Sequence, residues 1–306
     1  MAKKIFAFAS IILLLAAAAY LTPRYYSDYV KGKEKRLLLK KRKASLAVLK
    51  DKIEGDVRGF NGEVAFVIKD LDTGTELRLN QERLFPSASL VKVPVMAACF
   101  LAESEGHIRF DEKIKLKKSD KVSGSGLLKD EPAGKDYTIE RLIELMVAES
   151  DNTAANMLTG RLGMRYLNGC FKKMGLKGTN LSRVMMDFDS RKAGIENYTS
   201  ARDISYLLEN ICRGRFISKD VSKKCLTILA MQKVNDRIPK KLPPGTVVAH
   251  KTGLENGICH DAGIAYTGRS SFLICVLTKH RYKTARPSKK LIADISFAVY
   301  DSYKDG

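Results

Sequence analysis

Ser89 stands three residues before Lys92 in the stretch PSASLVKVPV, and of the 21 serines in the chain it alone has a lysine at that spacing. The apolar run that follows predicts a helix over residues 89–105, with both side chains on one face near its start. A helix start carries unpaired backbone N–H groups and the positive end of the helix dipole, which suits a developing oxyanion. A lysine can take the proton of a serine only if its own pKa is lowered. Burial does this, and so does a second cation nearby. In a chain with 54 lysines and arginines, the spacing alone is a weak signal.

Two further stretches strengthen it. ESDNTAANML places Ser150, Asp151 and Asn152 between two helical patterns, and AHKTGLENG places Lys251, Thr252 and Gly253 at the end of a strand pattern. A hydroxyl at Ser150 could relay a proton to a leaving group. Asn152 could hold a substrate amide and orient Lys92. Lys251 and Thr252 could bind a carboxylate, and Lys251 would be the second cation that Lys92 requires. Gly253 would let the strand approach a ligand closely. Each motif alone also reads as plain structure, a solvated helix cap or the start of a hairpin. The three together, in this order, are improbable by accident.

The elements around them alternate in type. A helix is predicted over residues 34–54, broken by Gly55 and Gly59. Strands follow at 63–71 and 76–80 around the turn Asp72, Thr73, Gly74. A lone Asp-Thr-Gly reads as a turn, because an aspartic protease needs two. Helices are predicted at 139–148 (capped by Thr138), 152–162, 200–212 (capped by Ser200) and 221–232, with 176–198 irregular. Strands at 247–251, 261–267 and 271–278 come late, and an amphipathic helix closes the chain at 288–302. The first hairpin has no third strand beside it, so it must complete its sheet with the late strands. The expected fold is α+β: a five-stranded antiparallel sheet flanked by terminal helices, with an all-helical lobe (about residues 89–235) inserted. The cleft between the two is the expected site.

The chain has 306 residues and a net charge of +20. Lys3 and Lys4 precede an uncharged stretch, residues 5–23, of the length of a membrane anchor or a long signal-peptide core. Residues 24–43 then carry nine basic side chains against Asp28 and Glu34. The expected organisation is an anchor or signal peptide over 1–23, a basic juxtamembrane segment over 24–45 and a catalytic domain over 46–306. The positive-inside rule would place that domain in the cytoplasm. The short basic head before an apolar core argues instead for export, to the periplasm or the outer membrane face. The basic segment suits an anionic surface; no nucleic-acid motif accompanies it, so nucleic acid is not expected as a partner. Six cysteines without CxxC or zinc-like spacing read as buried free thiols. Four scattered histidines suggest no metal site, and no cofactor is expected. A monomer is expected.

Ser89-x-x-Lys92, Ser150-Asp151-Asn152 and Lys251-Thr252-Gly253 resemble the three signature elements of serine β-lactamases and penicillin-binding proteins. The flanking text is most similar to class A β-lactamases, and the resemblance covers about residues 44–303. It implies a serine hydrolase forming an acyl-enzyme with a β-lactam, and hence antibiotic resistance, or with the D-alanyl-D-alanine end of a peptidoglycan stem peptide. By that resemblance Ser89 is the nucleophile, Lys92 the acylation base, Ser150 the proton shuttle and Asn152 the ligand of the acyl amide. Lys251 and Thr252 take the substrate carboxylate. The N–H groups of Ser89 and Leu254 form the oxyanion hole.

One departure stands out. Class A enzymes carry a Glu-x-x-Leu-Asn element whose glutamate activates the deacylating water. The matching stretch here reads SRVMMDFDSRKAGIENYTSARD, without that element. Asp187, Asp189 and Glu196 are its candidate carboxylates. A β-lactamase with slow deacylation is the leading expectation. A D,D-peptidase, or a protein that binds penicillin without turnover, are the alternatives.

Overall fold

The structure, a computed structural model, describes residues 2–268 and 270–302; the side chains of residues 2–24, 28, 35, 43, 46 and 47 lie outside that description. Helix α1 (Ala2–Arg58) runs without a break through Gly55 and stops only before Gly59. A single glycine in a helix costs about 1 kcal/mol, too little to interrupt a helix seated on a sheet. Leu49 and Ile53 supply that seat, buried against the apolar face of the closing helix. Arg42 is not part of a solvated basic face. It is buried, with Nη1 3.5 Å from Asp70 and 3.1 Å from Asp72. The proposed anchor, residues 5–23, lies outside the described side chains. Among the described residues no helix is long and apolar enough to cross a membrane.

After α1 come strands β1 (Gly62–Asp70), β2 (Glu76–Leu79) and β3 (Leu84–Pro86), the 3₁₀ turn Ala88–Val91, and helix α2 (Lys92–Ser104). Strands β4 (Lys113–Lys115) and β5 (Asp136–Thr138) pair with each other. Helices α3 (Ile139–Ala148), α4 (Asn152–Leu162), α5 (Met164–Lys173) and α6 (Phe188–Lys192) lead to β6 (Tyr198–Ser200), which pairs with β3. Helices α7 (Ala201–Cys212) and α8 (Lys219–Ala230) precede β7 (Val247–Glu255), β8 (Ile258–Thr267), β9 (Ser270–His280) and α9 (Arg286–Asp301).

The main sheet has the order β2-β1-β9-β8-β7 and is antiparallel throughout. Its two faces follow the strand period of two. Val64, Phe66, Ile68, Ile274 and Val276 pack with α1 and α9, whereas Ala65, Val67, Leu273, Cys275 and Leu277 join the helical core. The short pairs β3–β6 and β4–β5, helix α5 and the one-turn α6 were not anticipated. Their strands are three residues long and lack an alternating pattern. The caps are those expected: Thr138 Oγ1 accepts from Arg141 N–H and Ser200 Oγ from Asp203 N–H. All six cysteines are free thiols, five of them buried.

Two features of this plan matter for function. Strand β7 is an edge strand, and its exposed edge faces the turn that begins α2. The junction between α3 and α4 reaches Lys92, the first residue of α2, from the helical side.

Candidate active site

Ser89 lies on the 3₁₀ turn, half-buried, after Ala88 at φ +44°. Leu90 and Val91 beside it are fully buried and hold the turn in the core. Ser150 has φ +56° and Met186 φ +66°. Three non-glycine residues in this sparsely populated region surround one crevice, where strain is stored at functional sites.

Lys92 is fully buried. Its Nζ lies 2.6 Å from the Ser150 carbonyl, 2.7 Å from Asn152 Oδ1 and 3.3 Å from Ser150 Oγ. Lys251, also fully buried, donates to Ser150 Oγ at 3.0 Å and to the Thr252 carbonyl at 3.0 Å. Two amines from opposite ends of the fold thus converge on one hydroxyl. Burial pushes Lys92 well below the usual lysine range; the nearby Lys251 charge pushes it further, and Asp151 opposes both. Burial lowers Lys251 to about 7, Asp261 acting to raise it and Arg237 to lower it.

Asp151, read from sequence as a cap, does more than cap α4. Its Oδ1 accepts from Ala154 N–H at 2.9 Å, and its Oδ2 accepts from Leu127 and Leu128 N–H at 2.7 and 2.8 Å. Gly126 makes room for this: a Cβ there would sit 2.3 Å from Asp151 Cγ. The loop so held supplies the Ser123 carbonyl to Asn152 Nδ2 at 3.2 Å, leaving Asn152 Oδ1 turned to Lys92.

On β7, Thr252 is buried and Leu254 is 48% exposed at the crevice mouth. A Cβ on Gly253 would lie 3.2 Å from the Ser87 carbonyl oxygen and 3.3 Å from Leu90 N. Glycine therefore allows the strand to pass directly against the turn that carries Ser89.

The structure brings Ser89, Lys92, Ser150, Asn152, Lys251, Thr252, Gly253 and Leu254 around one crevice. The three loop carboxylates bind residues of their own loop instead. Asp187 caps α6, accepting from Ser190 N–H at 3.0 Å and Ser190 Oγ at 2.6 Å, and these bonds lower its pKa. Asp189 is 96% exposed beside Lys192. Glu196 is held by Arg183 Nη2 at 2.7 Å and Arg191 Nε at 3.3 Å. What the loop presents instead is methionine. Met186 and the Asn152 amide flank Gly124, whose added Cβ would meet Met186 Sδ at 3.2 Å and Asn152 Nδ2 at 2.8 Å. Asn156 fastens this part of the loop through paired bonds to the Met185 backbone, 2.8 and 3.1 Å.

Three residues behind the crevice escaped sequence reasoning. Arg237 is fully buried and donates from Nε to Cys259 Sγ at 3.1 Å. Asp261, also buried, accepts from Ile238 N–H at 3.0 Å and meets His250 Nδ1 at 2.9 Å. His260 holds the chain before Ser89. Nothing in their spacing marks them, because Arg237 and strand β8 come together only in three dimensions.

Comparison with known proteins identifies the family. A family model described as "Beta-lactamase enzyme family" matches residues 48–303. β-Lactamase VEB-1 of Pseudomonas aeruginosa is 25% identical over 272 residues, 82% of this chain and 89% of that protein. Among solved structures, a β-lactamase from Sphaerobacter thermophilus is 29% identical with a TM-score of 0.75, covering 85% of this chain and 96% of that one. PBP-A is 28% identical with a TM-score of 0.78, covering 85% and 97%. A variant of PBP-A has been solved as its acyl-enzyme with penicillin G. With the family model spanning most of the sequence and the fold in agreement, the chain belongs to the β-lactamase enzyme family.

Proposed function

We propose that this chain is an exported serine hydrolase that acylates Ser89 with β-lactams and releases the acyl group slowly. The observation that carries the reading is the shared hydroxyl: Lys92 and Lys251 both reach Ser150 Oγ, at 3.3 and 3.0 Å. A neutral Lys92 amine has two hydrogens. The short contacts to the Ser150 carbonyl and Asn152 Oδ1 take both, which frees the lone pair to accept a proton.

In this mechanism the Ser89 proton passes to Lys92 as Oγ attacks the lactam carbonyl. The N–H groups of Ser89 and Leu254 stabilise the oxyanion. When the C–N bond breaks, the proton travels from Lys92 through Ser150 Oγ to the lactam nitrogen. The product is a Ser89 ester with the ring opened. Lys251 and Thr252 hold the substrate carboxylate, and the buried Arg237 adds positive potential behind them.

Hydrolysis of the ester needs a base for water. Asp187, Asp189 and Glu196 are engaged by residues of their own loop, and Met186 is the side chain that meets Asn152 across Gly124. That supports a long-lived adduct. It also favours the second reading, a wall enzyme acting on D-alanyl-D-alanine peptides, in which an incoming amine or a slow water completes the cycle. Export is part of the proposal, supported by the Lys3-Lys4 head and the apolar residues 5–23.

The test is time-resolved intact mass after mixing with benzylpenicillin, alongside nitrocefin turnover. The expected result is stoichiometric adduct that outlasts many minutes, with weak turnover. Rapid turnover without adduct would refute the slow release; no adduct and no turnover would refute the acylation.

A further inference from the structure

The buried imidazole of His260 has no part in the mechanism above, yet it touches the chain that delivers the nucleophile. Its Nε2 lies 2.8 Å from the carbonyl oxygen of Pro86, three residues before Ser89. Its Nδ1 lies 3.1 Å from Thr278 N on β9. Both contacts have one solution. A carbonyl can only accept and a backbone N–H can only donate, so Nε2 carries the hydrogen and Nδ1 the lone pair. The ring is neutral, in one tautomer, fully buried, and packed edge-on to Phe85 with centroids 6.0 Å apart.

The place of this bridge in the fold gives it consequence. His260 pairs with Gly253 across β7 and β8, and with Leu277 across β8 and β9. It therefore stands on the same sheet face as Gly253, the residue pressed against the Ser89 turn. The turn is held from the other side by the loop, where Ser87 N–H donates to the Asn197 carbonyl at 2.7 Å. Directly after these two holds comes Ala88, in a left-handed conformation. Such strain persists only where the surroundings enforce it. Without the His260 bond, the Pro86 carbonyl loses its tie to the sheet and the turn can relax away from β7.

We propose that His260 is a positioning residue: by bridging Pro86 to β9 it fixes the height of the Ser89 turn against β7, and with it the aim of Ser89 Oγ between Lys92 and the Leu254 N–H. The proposal rests on the acylation reading. A misplacement of about 1 Å in a reacting group costs on the order of 10²-fold in rate. The bridge does not touch substrate, so its loss acts on the chemical step and leaves initial binding alone.

The test compares wild type with His260→Leu, which can neither donate nor accept, and His260→Asn, which can do both. Acylation by nitrocefin is followed by stopped flow, separating the non-covalent dissociation constant from the acylation rate constant. Hydrogen exchange of the peptide spanning residues 85–92 is measured in parallel. His260→Leu is expected to acylate about 10²-fold more slowly with an unchanged dissociation constant, and to exchange about tenfold faster in that peptide. His260→Asn is expected to recover a large part of both. A folded His260→Leu with wild-type acylation and wild-type exchange overturns the proposal. So does a loss confined to the dissociation constant, or one that His260→Asn does not restore. If His260→Leu does not fold, acylation and exchange close to wild type in His260→Asn support the bridge, and a loss of about 10²-fold in acylation or about tenfold in exchange overturns it. Should wild type itself fail to acylate, the acylation reading falls. The exchange comparison still decides whether His260 holds the turn.

Discussion

Lys251 Nζ and Ser150 Oγ lie 3.0 Å apart, although 101 residues separate them in the chain. One belongs to an edge strand and the other to a junction between helices, so this contact joins the two halves of the fold at the crevice. The hydroxyl bridges Lys251 and Lys92 and offers a proton path between them.

Ser150→Ala is therefore expected to slow acylation by about 10²- to 10⁴-fold, the usual contribution of a positioned proton-transfer group. Stopped-flow measurement with nitrocefin checks this. An acylation rate within about threefold of wild type would remove Ser150 from the proton path.

The two lysines set the pH profile. Lys251 is lowered to about 7 in the free protein, so its positive charge fades as pH rises through that value. Capture of a substrate carboxylate should weaken accordingly, while Lys92, held well below the usual lysine range by burial, stays competent as a base. The expected result is an alkaline limb near pH 7 in the second-order acylation constant. The limiting rate at saturation should show no such limb, because a bound carboxylate keeps Lys251 charged. Both follow from a pH series at several penicillin concentrations.

Asp151→Ala should cost about 3 kcal/mol of stability. It strips partners from three backbone N–H groups, two of them in the loop that frames Asn152. Urea unfolding measures the loss. Gly126→Ala should destabilise through the same contact, since its methyl group would overlap the Asp151 side chain.

His260 gives a pH-dependent stability term. Burial, with a smaller push from Arg237, lowers its pKa to about 4, while its bonds to backbone act in the opposite sense. The unfolded chain binds this proton from about pH 6.5 downward, the folded protein only near pH 4. The contribution is complete above pH 6.5 and is lost as pH falls towards 4, by about 3 kcal/mol over that window. Wild type should lose this increment in thermal or urea unfolding, and His260→Asn should lack it.

Much of this was legible in the sequence. The period-two strands, the Thr138 and Ser200 caps and the three motifs all carry local signals; the first two motifs fall where helices begin, while the third lies inside β7, which runs on to Glu255 past the expected end at 251. Other features carry none. The three-residue strands are too short to alternate. Gly55 reads as a breaker but sits in a helix held by Leu49 and Ile53. Arg42 reads as one more solvated cation, and only the fold turns it onto Asp70. Arg237, Asp261 and His260 matter because β7, β8 and the turn before them meet in space, which no spacing announces. The three loop carboxylates look alike in sequence, and only the structure shows which capping and ion-pair partners each one takes.

The most direct measurement is rapid-quench peptide mapping after benzylpenicillin, in wild type, Lys92→Ala and Ser89→Ala. The account expects the penicilloyl group on the peptide containing Ser89 in wild type, its formation slowed by several orders of magnitude in Lys92→Ala, and none in Ser89→Ala. Label on another residue, or undiminished labelling in Lys92→Ala, would contradict it.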